Sequence, residues 1–253
     1  MRSRDTENRW QITVLAEELD AAYDRVGLTG YTEHWERSRL ALAGNTYDGD
    51  DRVDLQLGQR VVALNTAAAT VTTADGDRFG YDALVLATGS YAFVPPMPGH
   101  DLPLCHVYRT LDDLDAIRAD AVRAAAASDD AAGVVIGGGL LGLEAANALR
   151  GFGMTPHVVE MAPRLMAQQL DEAGGALLAR MIGELGIAVH VGVGTERIEA
   201  SDVGARVTLS DGTVVDAGVV VFAAGVRPRD ELAREAGLAI ADRGGVLTDT
   251  SCA

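Results

Sequence analysis

Residues 133–144 read Gly-Val-Val-Ile-Gly-Gly-Gly-Leu-Leu-Gly-Leu-Glu, and the fold turns on them. A short apolar strand runs into Gly137, Gly139 and Gly142, and an apolar helix follows. This is a G-x-G-x-x-G turn in strand–turn–helix context. Gly137 permits the tight turn, Gly139 lets the backbone approach a pyrophosphate, and Gly142 lets helix and strand pack closely. The helix N-terminus offers N–H groups and a partial positive charge to phosphates. A second strand, Pro156 to Val159, ends at Glu160, about 20 residues on, where an acid accepts a ribose 2′-hydroxyl. Strand, turn, helix, second strand and terminal acid in order point to a dinucleotide site. A purely structural glycine turn is the alternative. A carboxylate at 160 repels a 2′-phosphate and favours NAD over NADP, while Arg164, close in sequence, works against that preference.

Outward from this unit, strands and helices alternate, which implies a parallel sheet. Thr110 with Asp113 forms a near capping box before the run Leu111 to Ala126. Asp171 to Leu185 reads as a helix whose Ala173, Leu177, Leu178, Met181, Ile182 and Leu185 share one apolar face. Ile187–Val191 is a strand. Val193–Ala200, Ala205–Leu209 and Val214–Asp216 form a β-meander turning at Asp211-Gly212. Val219–Ala223 is a buried strand leading to Gly225. On the N-terminal side, Gln11–Ala16, Val53–Leu57, Arg60–Leu64, Thr70–Thr73 and Ala83–Ala87 read as strands, the last of them buried. Trp35 to Leu42 reads as a short helix, and Pro95, Pro96 and Pro98 break the chain.

An internal symmetry appears in these segments. Leu84-Val85-Leu86-Ala87-Thr88-Gly89 resembles Val220-Val221-Phe222-Ala223-Ala224-Gly225, and each follows a meander with an acidic turn. The expectation is an α/β fold of two tandem Rossmann-like dinucleotide-binding domains, each a parallel sheet with a β-meander in three layers. Nothing before Gln11 contains a glycine-rich turn, so the first is expected to be truncated. The expected boundaries are 1–103, 104–225 and a return segment, 226–253.

Composition narrows the function. The 253 residues carry a formal net charge of −16, and all 21 basic residues are arginine. Such an acidic surface repels nucleic acid and anionic membranes. Without lysine, Walker-type phosphate loops and Schiff-base catalysis are excluded. No apolar run reaches the ~20 residues of a membrane helix, and Met1 to Asn8 is polar, so a cytoplasmic location is expected. Cys105 and Cys252 are far apart, which disfavours a redox dithiol or an iron–sulfur cluster. His100 and His106 near Cys105 lack a fourth ligand, so no metal site is expected.

The segments Tyr-Asp-Arg-Val-Gly-Leu at 23–28, Leu-Ala-Thr-Gly-Ser-Tyr at 86–91, Val-Tyr-Arg-Thr-Leu-Asp-Asp-Leu at 107–114, Gly-Gly-Gly-Leu-Leu-Gly-Leu-Glu-Ala-Ala at 137–146 and Gly-Val-Arg-Pro-Arg-Asp at 225–230 resemble the pyridine nucleotide–disulfide oxidoreductases. Within that superfamily the chain is most similar to the flavoprotein portion of assimilatory nitrite reductase large subunits. The resemblance implies FAD and NAD as cofactors. Glu17 would hold the FAD ribose, Arg25 would lie along FAD, Val61 would contact adenine, and Ala87, Thr88 and Gly89 would approach the flavin nucleotide. Gly137, Gly139, Leu140, Leu141, Gly142, Glu160 and Gly225 would form the NAD site, with Glu144 near the nicotinamide. An ordinary helix acid is the other reading of Glu144, and a loop salt bridge that of Arg25. The family's later Gly-Asp flavin segment is not found, and siroheme and an iron–sulfur cluster would belong to a part of the parent protein outside this sequence. Hydride transfer demands no acid–base side chain, so no catalytic residue is named. The implied partners are NADH, an electron-acceptor domain or protein, and a second copy in a homodimer. A ferredoxin- or rubredoxin-type NADH reductase and a non-enzymatic NAD sensor are the alternatives.

Overall fold

In the computed structural model, which describes residues 4–42 and 50–251, the chain falls into two units. One comprises Met1–Asp24, Arg37–Ser90 and Pro228–Ala253, and the other Arg25–Glu36 and Tyr91–Arg227. The chain passes from the first unit to the second between Ser90 and Tyr91 and returns between Arg227 and Pro228, and the segment 25–36 groups with the later unit.

The first unit is built on β1 (Ile12–Leu15) and β2 (Val53–Gln56), which pair in parallel, Ile12 opposite Val53. Beside them in sequence, β3 (Val61–Asn65), β4 (Thr70–Thr73) and β5 (Arg78–Gly80) form an antiparallel meander. The expected buried strand at Ala83–Ala87 is not a strand, and Leu84 and Val85 are 38% and 62% exposed. An apolar run becomes a buried parallel strand only when neighbours supply its ladder and both faces are covered. The two-stranded β1–β2 sheet does neither for it among the described residues. The expected helix at 35–42 is also displaced. A helix, α1 (Leu28–His34), ends where Trp35 takes a left-handed conformation, and a 3-10 turn follows at Arg37–Leu40. Trp35 stays in place because it packs on Tyr31 and Phe152 and lies under the Arg118 guanidinium at 4.4 Å.

Strand β6 (Ser90–Ala92) lies where the chain leaves the first unit. The second unit then adds β7 (Cys105–Val107), α2 (Leu111–Ala127), β8 (Ala132–Ile136), α3 (Leu140–Gly151), β9 (Thr155–Glu160), α4 (Glu172–Glu184) and β10 (Ala188–Val191). A meander follows, β11 (Thr195–Ser201), β12 (Gly204–Leu209) and β13 (Val214–Ala217), and then β14 (Val219–Phe222). The sheet order is β10-β9-β8-β14-β7, with every pair parallel. Because side chains alternate along a strand, the sheet presents two different faces. Val134, Ile136, Val159, Val220 and Phe222 pack against Ile198, Ala205, Val207, Leu209 and Val215 of the meander. On the other face, a Cβ on Gly133 would lie 2.8 Å from Leu149 of α3, so the helix packs directly on the strand there. Helix α2 starts as expected, with both bonds of the Thr110–Asp113 capping box present. The helix read at 171–185 forms as α4, and on its apolar face Leu177, Met181 and Leu185 are 47–53% exposed. Helix α4 packs on β10, the edge strand, which is too narrow to cover it.

The last elements, β15 (Val226–Pro228) and α5 (Glu231–Glu235), bring the chain back to the first unit. There Asp230, 7% exposed, accepts the Gly245 N–H at 2.7 Å and an Arg234 guanidinium N–H at 3.2 Å. The Gly245 bond first, then Arg234, holds its carboxyl below the usual carboxylate range. A depressed folded-state pKa contributes stability above the unfolded value, about 4, that is lost as pH falls through the folded one. Asp230→Ala is therefore expected to lower the melting temperature at pH 7, and the gap to the unaltered chain is expected to narrow by pH 3.

Candidate functional site

Strand β8 delivers Gly137 at the carboxyl end of the parallel sheet, where open α/β sheets bind ligands. Gly137 has φ +122°, a left-handed conformation that disfavours a side chain, and its Cβ would lie 2.4 Å from the Ala223 carbonyl oxygen at the end of β14. A Cβ on Gly142 would lie 1.8 Å from the Gly137 carbonyl oxygen. The first turn of α3 therefore rests directly on the loop. Around Gly139, by contrast, a Cβ would meet nothing within 4 Å. Gly139 is also the N-cap of α3, and no side chain caps that end. The turn is thus crowded where glycine is needed for packing and open where a ligand would come close. Leu140 and Leu141, 60% and 40% exposed, flank the opening. Gly225, at φ +100°, follows Ala223, which touches Gly137, so the last glycine of the set belongs to the same end of the sheet.

Glu160 ends β9 facing this turn. One carboxylate oxygen accepts the Gly138 N–H at 2.7 Å, and the other accepts the Ala162 N–H at 2.7 Å. A carboxylate offers about four lone pairs, so acceptor capacity remains for ribose hydroxyls. These two bonds reveal a residue that motif reading passed over. Gly138 is the unspecified position of G-x-G-x-x-G, yet its Cβ would lie 2.8 Å from the Glu160 Cβ and 2.7 Å from Leu165. Three successive glycines in the sequence were the available signal. Arg164, expected to compete near the 2′ position, instead gives its guanidinium N–H groups to the Leu170 carbonyl at 2.9 Å and the Ala167 carbonyl at 3.3 Å.

Glu144 is half-buried on α3, and Tyr108 is buried; burial first, and then the Glu144 charge, push the Tyr108 phenol pKa up. Arg25 donates to the Arg109 carbonyl at 2.9 Å, which ties the turn before α1 to the entry of α2 within the second unit. Cys105 is half-buried, its thiol faces the Gly99 carbonyl at 3.5 Å, and burial pushes its pKa up to about 11. Such a thiol is a poor nucleophile at neutral pH. Cys252 lies outside the described residues. His106 pairs with Asp120 at 2.7 Å, whereas His100 bonds the Met97 carbonyl, so the two histidines diverge. Among the described residues no group of three or more His, Cys, Asp or Glu side chains is placed to hold a metal ion. No helix among them is long and apolar enough to cross a membrane.

In the first unit a second set of expected residues converges. The Glu17 carboxylate, just beyond β1, forms a close ion pair with Arg229 and lies 3.7 Å from Arg60, the residue before Val61. Arg229 donates its N–H to the Gly89 carbonyl, and the Thr88 hydroxyl donates to the Arg229 carbonyl at 2.6 Å. Glu17, Thr88 and Gly89 are thereby brought together, with Arg229 as the connecting residue that sequence reading missed, while Val61 opens β3 immediately after Arg60. Ala87, Thr88 and Gly89 are all exposed.

Several known proteins are similar to this chain in sequence or in fold. The NAD(P)H nitrite reductase large subunit of Klebsiella oxytoca is 48% identical over 250 residues, 99% of this chain and 26% of its own length. The ferredoxin reductase component of chlorobenzene dioxygenase from Cupriavidus sp. is 33% identical over 254 residues, 98% of this chain and 59% of its own. The NAD-dependent persulfide reductase from A. fulgidus superposes with a TM-score of 0.85 at 27% identity, over 94% of this chain and 46% of that one. The chain spans about a quarter of the length of the nitrite reductases it matches. The sequence pattern described as pyridine nucleotide-disulphide oxidoreductase matches residues 4–253, and the chain belongs to that family.

Proposed function

We propose that this chain is an NADH-to-flavin electron-transfer module, and that in a longer protein it serves the reduction of nitrite. The observation that carries the reading is the open face at Gly139, set between an uncapped helix N-terminus and Glu160. Phosphate oxygens fit N–H donors and the positive end of a helix dipole, and ribose hydroxyls fit a carboxylate. When bound, FAD and NADH supply hydride and single-electron chemistry. The chain's own residues hold and orient them. Gly137–Gly142 receive the NADH pyrophosphate, Glu160 its adenosine ribose, and Glu144 lies toward the nicotinamide. Glu17, Val61, Ala87, Thr88 and Gly89 take the FAD nucleotide, and Arg25 lies along it. The acceptor is a siroheme and iron–sulfur portion of the parent protein, or a ferredoxin-type partner as in the dioxygenase reductases. The similarity to nitrite reductases at 48% identity favours the first.

The test is a visible absorption spectrum of the chain before and after adding FAD and then NADH. Retained flavin bands that bleach with NADH support the module. NADH binding without any flavin leaves the NAD sensor reading in its place. Glu160→Ala is expected to weaken NADH binding about tenfold or more, measured by NADH fluorescence, because ribose loses its acceptor and the turn loses two backbone bonds.

A further inference from the structure

We propose that Arg164 is a specificity-determining positioning residue: it locks the loop behind Glu160 and keeps its own charge away from the 2′ position, so that the site takes NADH and rejects NADPH. The inference rests on the dinucleotide reading above.

The loop is built around Gly138. Its N–H donates to Glu160, and its carbonyl accepts the Met166 N–H at 2.9 Å. Leu165, fully buried, fills the space against Gly138. Ala162 closes the other side, donating its N–H to Glu160 while its carbonyl accepts the Gly192 N–H at 2.8 Å. The segment from Met161 to Leu170 thus sets where the Glu160 carboxylate points. Arg164 is the side chain that ties this segment to itself. Its guanidinium spans from the Ala167 carbonyl to the Leu170 carbonyl, immediately before the Asp171 cap of α4. Its stem lies on Gly175, where a Cβ would come within 2.8 Å of the Arg164 Cβ. A guanidinium has donors only, and two of its directions are taken by carbonyls. A 2′-phosphate would therefore meet the Glu160 carboxylate while the Arg164 guanidinium is held on the Leu170 and Ala167 carbonyls. A 2′-hydroxyl would meet a fixed acceptor.

Two accounts of Arg164 predict opposite signs. If it is a strut, removing it loosens Glu160, weakening NADH and relaxing the repulsion of NADPH. If it is a phosphate ligand, removing it weakens NADPH selectively. Equilibrium binding of NADH and of NADPH, each followed by its own fluorescence, separates the two in the unaltered chain and in Arg164→Met. The expected result is an NADH preference in the unaltered chain that shrinks about fivefold in Arg164→Met, a change of about 1 kcal/mol. A ratio that is unchanged, or that moves further toward NADH, overturns the proposal. Gly175→Ala tests the same lock with the charge retained, since its Cβ displaces the Arg164 stem. The NADH preference is expected to shrink there too, and a preference equal to that of the unaltered chain overturns the proposal. Failure of the unaltered chain to bind either nucleotide overturns the dinucleotide reading itself, a different outcome from NADH binding that ignores Arg164.

Discussion

Gly142→Ala is expected to abolish measurable NADH binding while leaving most of the second unit folded. The new methyl carbon would sit 1.8 Å from the Gly137 carbonyl oxygen, with the carbonyl carbon at 2.9 Å. Neither atom can swing away like a flexible side chain, because Gly137 is fixed by its N–H bond to the Val159 carbonyl at 2.8 Å and by its contact with Ala223. The first turn of α3 must therefore lift from the loop. Lifting it moves the N–H groups that would face the phosphates in the proposed site, and interactions of that kind fail with displacements of about 1 Å. Titration with NADH together with a far-ultraviolet spectrum checks this. Loss of binding with retained secondary structure is the expected pair of results. Binding within about threefold of the unaltered chain would remove α3 from the phosphate site.

The second large effect is expected at Phe222. This ring is 1% exposed at the end of β14, within the cluster that joins the parallel sheet to the meander. The cluster draws on both layers, with Ile136 and Val159 from the parallel sheet and Val207 and Leu209 from the meander. Strands held by ladder bonds cannot close far around an emptied ring site, so Phe222→Ala leaves a cavity as well as losing transfer free energy. The expected cost is about 3–5 kcal/mol. For a unit of this size, about 2–4 °C of melting temperature goes with each kcal/mol, so the transition should fall on the order of 10 °C. Calorimetry of the two chains checks it. Cys105→Ala, at a half-buried edge position in β7, is the contrasting substitution and should cost far less.

The second unit was largely legible in the sequence because its signals are local. Glycine spacing, the Thr110–Asp113 box, the Asp211-Gly212 turn and the apolar runs at 133–136 and 219–222 each act within a few residues. The structure reproduces each of them. The readings that failed depended on neighbours. Ala83–Ala87 has the composition of a buried strand, but burial is a property of what lies alongside. The helix carrying Leu177, Met181 and Leu185 was legible from their spacing, although periodicity gives a face without saying whether anything covers it. Helix propensity at Trp35 is overridden by the aromatic and cationic partners that hold it in a left-handed turn. In the site, the glycines and Glu160 were visible by spacing. Gly138, Arg229 and the engagement of Arg164 were not, since each is defined by contacts across the fold rather than by position in a motif.

The bracketing of Gly138 bears on how fast a ligand can be taken up. Its amide and carbonyl are both satisfied within the protein, by Glu160 and Met166, before any nucleotide arrives. The turn therefore has no ordering to do on encounter. Conformational entropy that a mobile glycine loop would surrender at each binding event has already been surrendered in folding. Association should then be limited by orientation and diffusion rather than by loop closure, and changes that weaken the bracket should slow capture before they change the rate of escape.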